Sequence, residues 1–96
     1  MAYRLLYHPD VKKEDLPGIP ENIKQRLRRA IEERLMNDPE NYSDPLKKGL
    51  KGYRKLRVGE YRIIFKIFKN DIILLKIGHR KEVYSRISKR TISSTR

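Results

Sequence analysis

Apolar residues recur at every second position along three segments in the second half of the chain, and only very short turns separate these segments. The segments are 53–58, 61–68 and 72–77, with Gly59-Glu60 and 69–71 as the turns between them. This alternation is typical of β-strands that bury one face. Links this short join antiparallel neighbours. The pattern therefore predicts an antiparallel three-strand meander, which Gly78 is predicted to end.

The first half of the chain has helical periodicity after a short predicted strand at 3–7. A short helix is predicted from His8-Pro9-Asp10 to Leu16, where Pro17-Gly18 stops it. A longer helix follows Pro20, because apolar residues recur there at i, i+4, i+7, i+8 and i+12. These residues are Ile23, Leu27, Ala30, Ile31 and Leu35. The very short link predicts that the two helices form an antiparallel hairpin.

These elements predict an α+β fold of order β-α-α-β-β-β, with the helical hairpin on one face of an antiparallel sheet. Residues 1–96 are the length of one small domain with a modest core. Residues 39–52 are predicted as loop, 82–90 as a short strand or final helix, and 91–96 as a flexible tail. Alternation predicts that the helices cover Leu56, Val58, Ile63, Phe65, Ile67, Ile73, Leu75 and Ile77. The opposite face is predicted to carry Lys55, Arg57, Arg62, Ile64, Lys66, Ile72, Leu74 and Lys76; we call it the cationic face.

Positive charge is concentrated in the same half of the chain as the meander. Residues 1–50 contain ten Lys or Arg against nine Asp or Glu, whereas residues 51–96 contain fourteen against three. A one-sided basic surface attracts polyanions such as RNA, DNA or an acidic protein segment. An ordinary solvated face is the alternative, but such a face normally intersperses acids among its cations. Like charges on neighbouring strands are destabilising unless an anion joins them.

Several kinds of site are disfavoured by composition. The chain has no Cys and only His8 and His79, so a zinc site lacks ligands. The basic half has only Glu60, Asp71 and Glu82, whereas two-metal nuclease sites need clustered carboxylates. No glycine-rich phosphate loop is present, and no apolar run approaches the length of a membrane span. We therefore expect no metal, no cofactor and no membrane partner.

Metal-free cleavage of RNA is compatible with the residues present. The ribose 2′-OH can attack the adjacent phosphate, so the protein must only orient the backbone, neutralise developing charge and move two protons. Arg binds phosphate oxygens with its planar fork, while Lys, Tyr or His can transfer protons and an aromatic ring can stack on a base. The residues that fit these roles are Lys55, Arg62, His79, Arg80 and Tyr84. Which of Lys55, His79 and Tyr84 donates or accepts each proton stays open.

Two runs in the basic half, YRKLRVGEYRIIF at 53–65 and IGHRKEVY at 77–84, carry a resemblance to a known family. The order LR-x-G-x-YR, then G-x-R, then VY is similar to the RelE/ParE toxin superfamily of type II toxin–antitoxin systems. The two N-terminal helices and the Asp44-Pro45-Leu46 loop also match, so the resemblance covers nearly the whole chain. It implies a helical hairpin on an antiparallel sheet. It also implies one of two activities: RelE-like members cut messenger RNA, typically in the ribosomal A site, and ParE-like members inhibit DNA gyrase.

The resemblance assigns roles to four residues. Arg62 matches an arginine proposed to stabilise the transition state, Lys55 a lysine of the first meander strand, Arg80 a phosphate-binding arginine, and Tyr84 a tyrosine that stacks on the base. Tyr53 stands where the best-matching RelE members carry a second lysine, with Arg54 as a partial substitute. Further RNA contacts are predicted at Arg54, Arg57, Lys66, Lys76, His79 and Lys81.

The RelE-like activity is favoured because the basic set is largely present. The expected product is a 2′,3′-cyclic phosphate on mRNA cleaved at the ribosome in the cytoplasm. The expected partners are mRNA, the ribosome and a RelB-like antitoxin whose acidic or amphipathic segment covers the cationic face, with operator DNA bound indirectly through that antitoxin. A ParE-like gyrase inhibitor and a non-catalytic basic RNA-binding protein are the alternatives.

Overall fold

The computed structural model describes residues 3–46, 52–85 and 87–90. Within these ranges the chain forms eight principal elements and a closing 3₁₀ turn, Ile87–Arg90. They are β1 (Arg4–Tyr7), α1 (Val11–Asp15 continued by Leu16–Gly18), α2 (Glu21–Ala30 continued by Ile31–Leu35), α3 (Pro39–Tyr42), β2 (Asp44–Pro45), β3 (Tyr53–Val58), β4 (Tyr61–Phe68) and β5 (Asp71–His79). The predicted α+β class is confirmed, and the predicted tail at 91–96 lies outside the described residues.

The five described strands form one sheet in the order β1-β5-β4-β3-β2. The predicted meander of β3, β4 and β5 is confirmed, and β2 adds an antiparallel edge. The prediction of a wholly antiparallel sheet is wrong at one pair, because β1 runs parallel to β5. A parallel pair needs a long crossover connection, which the helices between β1 and β2 supply. The predicted loop at 39–52 is also wrong in part, since α3 and β2 lie within it.

Leu75 is an extra residue in β5, because Lys76 and Leu74 pair with consecutive residues of β4. Such a β-bulge interrupts the alternation of faces along the strand. Ile72 and Leu74 therefore lie in the core under the helices, while Leu75 belongs to a separate cluster on the cationic face. The predicted faces of residues 72–75 are wrong. These four residues are all apolar, so their sequence offered no polar marker of the change in register.

The helices cover one face of the sheet. Leu27, Ala30, Ile31 and Leu35 are buried, as predicted for the apolar stripe of α2. They share a core with Val11 of α1 and with the apolar residues of β3, β4 and β5. α1 contacts β5 and α2 contacts β3; that the two helices form an antiparallel hairpin stays a prediction. No helix in the described part of the chain is long and apolar enough to cross a membrane.

A second, smaller apolar cluster lies on the cationic face, where the chain returns after β5. Its buried members are Tyr53, Ile64, Leu75, Val83 and Ile87. Gly78 does not end β5, contrary to the prediction, because its backbone still pairs with Arg62. The returning chain packs over this position, since a Cβ on Gly78 would lie 3.6 Å from Val83, an ordinary van der Waals distance. Residues that follow β5 thus cover part of the cationic face.

Candidate functional site

Strand register brings the predicted cations of the meander onto one surface. Lys55 pairs with Ile64, which pairs with Lys76, so these three residues form one row across the sheet. Arg57, Arg62 and Gly78 form the adjacent row. Side chains two residues apart on neighbouring strands lie roughly 7–8 Å from each other, within reach of long side chains. Lys55 and Arg62 are therefore diagonal neighbours, as the proposed roles require.

Arg62 turns back toward the hairpin that joins β3 and β4. Its Nη1 donates hydrogen bonds to the carbonyl oxygens of Gly59, at 3.0 Å, and Tyr61, at 2.9 Å. Two backbone acceptors thus hold the guanidinium at the end of the cationic face. The side chains of Lys55 and Arg57 form no hydrogen bond or ion pair with the described residues. Both keep their donors available to a ligand.

Lys66 and Lys76 have intramolecular partners. Lys66 places its Nζ over the ring of Tyr53, 5.5 Å from the centroid. Tyr53 itself is buried, so the residue at the position where the resemblance would place a second lysine is part of the apolar cluster. The Nζ of Lys76 donates a hydrogen bond to the carbonyl oxygen of Ser85. This bond connects the cationic face to the chain that returns over it.

Arg80 is bound to the turn between β3 and β4. Its backbone N–H donates to the carbonyl oxygen of Glu60 and its Nε to Glu60 Oε1, both at 2.8 Å. The hydrogen bond and the charge of Arg80 lower the pKa of Glu60, and the charges of His79 and Arg62 act in the same direction. Both side chains are more than half exposed. Glu60 is thus a carboxylate placed among cations, where a phosphate of a ligand would also be attracted.

Tyr84 is exposed on the chain that follows β5. Its neighbour Val83 is buried against Gly78, the cross-strand partner of Arg62. Tyr84 thus directly follows a residue packed beside the row of Arg57 and Arg62, and 42% of its surface is open to solvent. An exposed aromatic ring next to a row of cations can stack on a nucleic-acid base.

The structure does not bring His79 and Arg54 to this surface. His79 pairs with Tyr61 on the helix side of the sheet, and their rings meet edge to face at 5.6 Å. Its Nδ1 accepts a hydrogen bond from the backbone N–H of Lys81, whose own side chain is exposed. Arg54 shares the helix side with Leu56 and donates to Ser43 Oγ and to the carbonyls of Ser43 and Glu40. Its guanidinium therefore links α3, and the residue between α3 and β2, to strand β3.

The donor set does not suit a metal ion. Among the described residues no three His, Asp or Glu side chains come close enough together to hold one. The face positions of β3, β4 and β5 beside Lys55 and Arg62 are occupied by cations, apolar residues and glycine. The arrangement can bind polyanions and stabilise charge on a phosphate, which are properties of guanidinium and ammonium groups.

One pair of residues escaped the sequence analysis. Arg90, in the closing 3₁₀ turn, binds Asp15 of α1 through two hydrogen bonds of 2.7 and 3.0 Å. The two residues lie 75 positions apart, so no local pattern could reveal their contact. In a sequence, an isolated Arg outside any periodic pattern indicates a solvated charge, whereas the structure shows that Arg90 is buried.

Comparisons with known proteins agree on one family. The sequence profile described as ParE toxin of type II toxin-antitoxin system, parDE, matches residues 5–84. Toxin RelE3 of Methanocaldococcus jannaschii is 34% identical over 74 residues, which cover 74% of this chain and 84% of the relative. The toxin–antitoxin complex RelBE2 of Mycobacterium tuberculosis includes a chain that matches with a TM-score of 0.76 at 23% identity, over 83% of this chain and 100% of that one. The RelB–RelE complex of Methanococcus jannaschii includes one with a TM-score of 0.65 at 32% identity, over 82% and 94%.

Proposed function

The chain belongs to the RelE/ParE superfamily of toxins from type II toxin–antitoxin systems, and we propose that it is an endoribonuclease that cleaves mRNA during translation. The carrying observation is that strand register makes Lys55 and Arg62 diagonal neighbours on the cationic face, while Arg80 is bound to the turn before Arg62. We propose that Tyr84, which follows the residue packed on Gly78, completes this set. We take residues 1–96 to act as one toxin domain in the cytoplasm, where mRNA is translated.

Cleavage proceeds by attack of the ribose 2′-oxygen on the adjacent phosphorus. The P–O5′ bond breaks as the 2′-O–P bond forms, which yields a 2′,3′-cyclic phosphate and a free 5′-OH. Arg62 stabilises the charge on the non-bridging oxygens, because two backbone carbonyls already orient its guanidinium. Arg80 binds a neighbouring phosphate after its Nε exchanges Glu60 for that anion. Lys66 and Lys76 add positive potential along the RNA backbone.

Two protons move in this reaction, one from the 2′-OH and one to the 5′-oxygen. We assign these transfers to Lys55 and Tyr84 rather than to His79, because His79 lies on the helix side of the sheet with its ring against Tyr61. The aromatic ring of Tyr84 also stacks on the base next to the cleaved bond. No metal step is required, since the attacking oxygen belongs to the substrate and arginines neutralise the phosphate.

An antitoxin is the proposed protein partner. The structure from Methanococcus jannaschii that resembles this chain is a RelB–RelE antitoxin–toxin complex. A RelB-like partner with an acidic or amphipathic segment would complement the charge of the cationic face and block access of RNA. Binding to operator DNA would then be indirect, through the DNA-binding part of that antitoxin.

Gyrase inhibition is the second candidate, and the match of residues 5–84 to a profile named for ParE toxins favours it. In that case the toxin would be an interaction protein rather than an enzyme. The presence of Lys55, Arg62, Arg80 and Tyr84 favours cleavage instead, because ParE-like members lack this basic set.

Primer extension on mRNA from cells that express the protein separates the two candidates. We expect new 5′ ends within translated messages, and no gyrase-dependent breaks in DNA. With purified protein and ribosomes programmed with mRNA, Arg62→Ala should lower the cleavage rate by about 100- to 1,000-fold. Arg29→Ala, which removes an exposed arginine on α2, is the matched control and should cleave at the wild-type rate. Equal rates for Arg62→Ala and the wild type, or DNA breaks without new mRNA ends, would overturn the proposal.

A further inference from the structure

The best-connected charged side chain among the described residues is that of Arg90. Its guanidinium donates to both carboxylate oxygens of Asp15 at 2.7 and 3.0 Å, to Glu14 Oε1 at 3.3 Å and to the carbonyl oxygen of Leu75 at 3.2 Å. Asp10 Oδ2 lies 3.8 Å from its Nε. Burial acts to lower the pKa of Arg90, but the hydrogen bond and charge of Asp15, with the charges of Asp10 and Glu14, outweigh burial and raise it. The guanidinium is therefore held as a cation under the protein surface.

The same carboxylate completes the edge of the sheet. β1 pairs with β5 only as far as Leu74. Beyond that point β5 still pairs with β4, but no strand lies beside it on the β1 side. Asp15 Oδ2 accepts the N–H of Ile77 at 2.8 Å, and Arg90 donates to the carbonyl of Leu75. Buried backbone groups need such partners. Asp15 and Arg90 thus replace the missing strand and join α1, β5 and the closing 3₁₀ turn at one point.

The chain between β5 and Arg90 carries Tyr84. Val83 and Ile87 of this segment are buried in the second apolar cluster, and the carbonyl of Ser85 accepts a hydrogen bond from Lys76. At its start the segment is also bound through Arg80 to Glu60 and through the N–H groups of Glu82 and Val83 to the carbonyl oxygen of His79. Toward its end, the Arg90 pair binds it to α1 and to β5. The apolar contacts are non-directional, whereas the fork of Arg90 on Asp15 is directional and fixes position.

We propose that Arg90 is a positioning residue, whose ion pair with Asp15 holds the returning segment in place and thereby sets Tyr84 beside the Arg62 end of the cationic face. The effect on catalysis rests on the proposed function. The effect on the segment does not, because it concerns only the order of the chain after β5. Without the pair, the apolar contacts of Val83 and Ile87 still keep the segment near the sheet but no longer fix its position. The segment therefore becomes mobile, while the main core stays intact.

A tryptophan probe tests the effect on the segment. The chain has no Trp, so Tyr84→Trp gives a single indole fluorophore on the segment. In this background Arg90→Ala should lower the steady-state anisotropy of the indole and raise its quenching by acrylamide about twofold or more. Arg4→Ala is the matched control, because it removes another two-bond ion pair, to Asp71, at the opposite end of β5. Unchanged anisotropy and quenching in Arg90→Ala, or equal changes in Arg4→Ala, would overturn the proposal.

Cleavage kinetics test the effect on catalysis. Arg90→Ala should reduce kcat by about 10- to 100-fold, because displacement of a catalytic group from afar has effects of this size. KM should change by only about twofold, since the cations that bind RNA are untouched. Arg90→Lys should recover part of kcat, whereas a loss that fell on KM alone would contradict a role in positioning.

If Arg90→Ala fails to fold by circular dichroism, Asp15→Asn decides instead. Its amide oxygen can still accept the Ile77 N–H, but the negative charge that Asp15 presents to Arg90 is gone. A wild type that cleaves no RNA would refute the proposed function, and the fluorescence result would still decide whether Arg90 orders the segment.

Discussion

Arg57 on β3 and Arg62 on β4 lie directly opposite each other on the face of the sheet away from the helices. No carboxylate of the described residues is bonded to either guanidinium. Directly opposed like charges destabilise a sheet. A site that binds an anion needs this arrangement, because the repulsion is relieved when a phosphate binds between the two groups. Stability and binding are therefore expected to change in opposite directions when one of the charges is removed.

Replacement of Arg57 by threonine tests this opposition. Arg57→Thr keeps a good strand former and removes the repulsion, so the free energy of unfolding should rise by about 0.2–1 kcal/mol. A domain of this size should then melt about 1–8 °C higher. Affinity for single-stranded RNA should fall, with a smaller dependence on salt. Thermal melts and fluorescence-anisotropy titrations measure both effects. A variant that melts no higher than the wild type at low salt would contradict the repulsion.

Arg54 and Lys55 are neighbours in the sequence but face opposite sides of the sheet, which predicts opposite phenotypes. Arg54→Ala removes the bonds to Glu40 and Ser43 and should cost about 1–3 kcal/mol of stability. RNA affinity should stay within about twofold of the wild type. Lys55→Ala should leave stability nearly unchanged but reduce the salt slope of RNA binding by about one. Urea unfolding measures the stability of each variant and salt-dependent titration measures its RNA binding. Each variant is the control for the other. If Arg54→Ala weakened binding as much as Lys55→Ala, the separation of faces would be wrong.

Glu60 predicts a pH effect. The folded-state pKa of Glu60 lies below its ordinary value because Arg80 binds the carboxylate. Its contribution to stability is therefore fully present above the unfolded pKa and is lost as pH falls through the lowered folded pKa. Glu60→Gln should thus lose less stability than the wild type as pH drops below about 4.5. Thermal melts across this range measure the difference, which should be small because the pair is exposed.

The same substitution should also release Arg80 for RNA. At neutral pH, Glu60→Gln is expected to bind RNA about two- to fivefold more tightly, since an exposed ion pair no longer competes with phosphate. Glu33→Gln, on the exposed side of α2, controls for the general loss of one negative charge. Equal gains in both variants would mean that Glu60 has no special relation to the site.

Gly59 predicts a backbone effect at the turn to which Arg62 and Arg80 are hydrogen-bonded. Its φ of +61° is strained for any residue with a Cβ, and an added Cβ would lie 3.1 Å from the Arg26 guanidinium. Gly59→Ala should therefore cost about 1–2 kcal/mol in the free energy of unfolding. Gly18→Ala is the control, because Gly18 has open space around the Cβ position and no positive φ. In an Arg26→Ala background the cost of Gly59→Ala should shrink but persist. Equal costs for Gly59→Ala and Gly18→Ala would exclude the strain.

Much of the fold was predictable because the relevant signals are local. The alternation from Tyr53 to Phe68 reflects strands with one buried face, and the stripe of α2 reflects a helix with one buried side. The shared face of Lys55 and Arg62 follows from the same alternation once the hairpin turn is recognised. The position of His79 was missed because Gly78 was predicted to end β5, whereas the strand continues and puts His79 on the same side as Ile77. The faces of residues 72–75 were missed because β5 departs there from regular pairing. That departure, at Leu75, lies within an all-apolar run and leaves no mark in the sequence.

The sequence alone determined the meander, the amphipathic second helix and the concentration of cations on one sheet face, because each is encoded by spacing over a few residues. Only the tertiary structure decided the parallel pairing of β1 with β5, the bulge at Leu75 and the burial of Arg90 on Asp15. Each of these depends on groups far apart in the chain that must satisfy each other's hydrogen bonds or fill a shared core. Such complementarity exists only after the chain has folded.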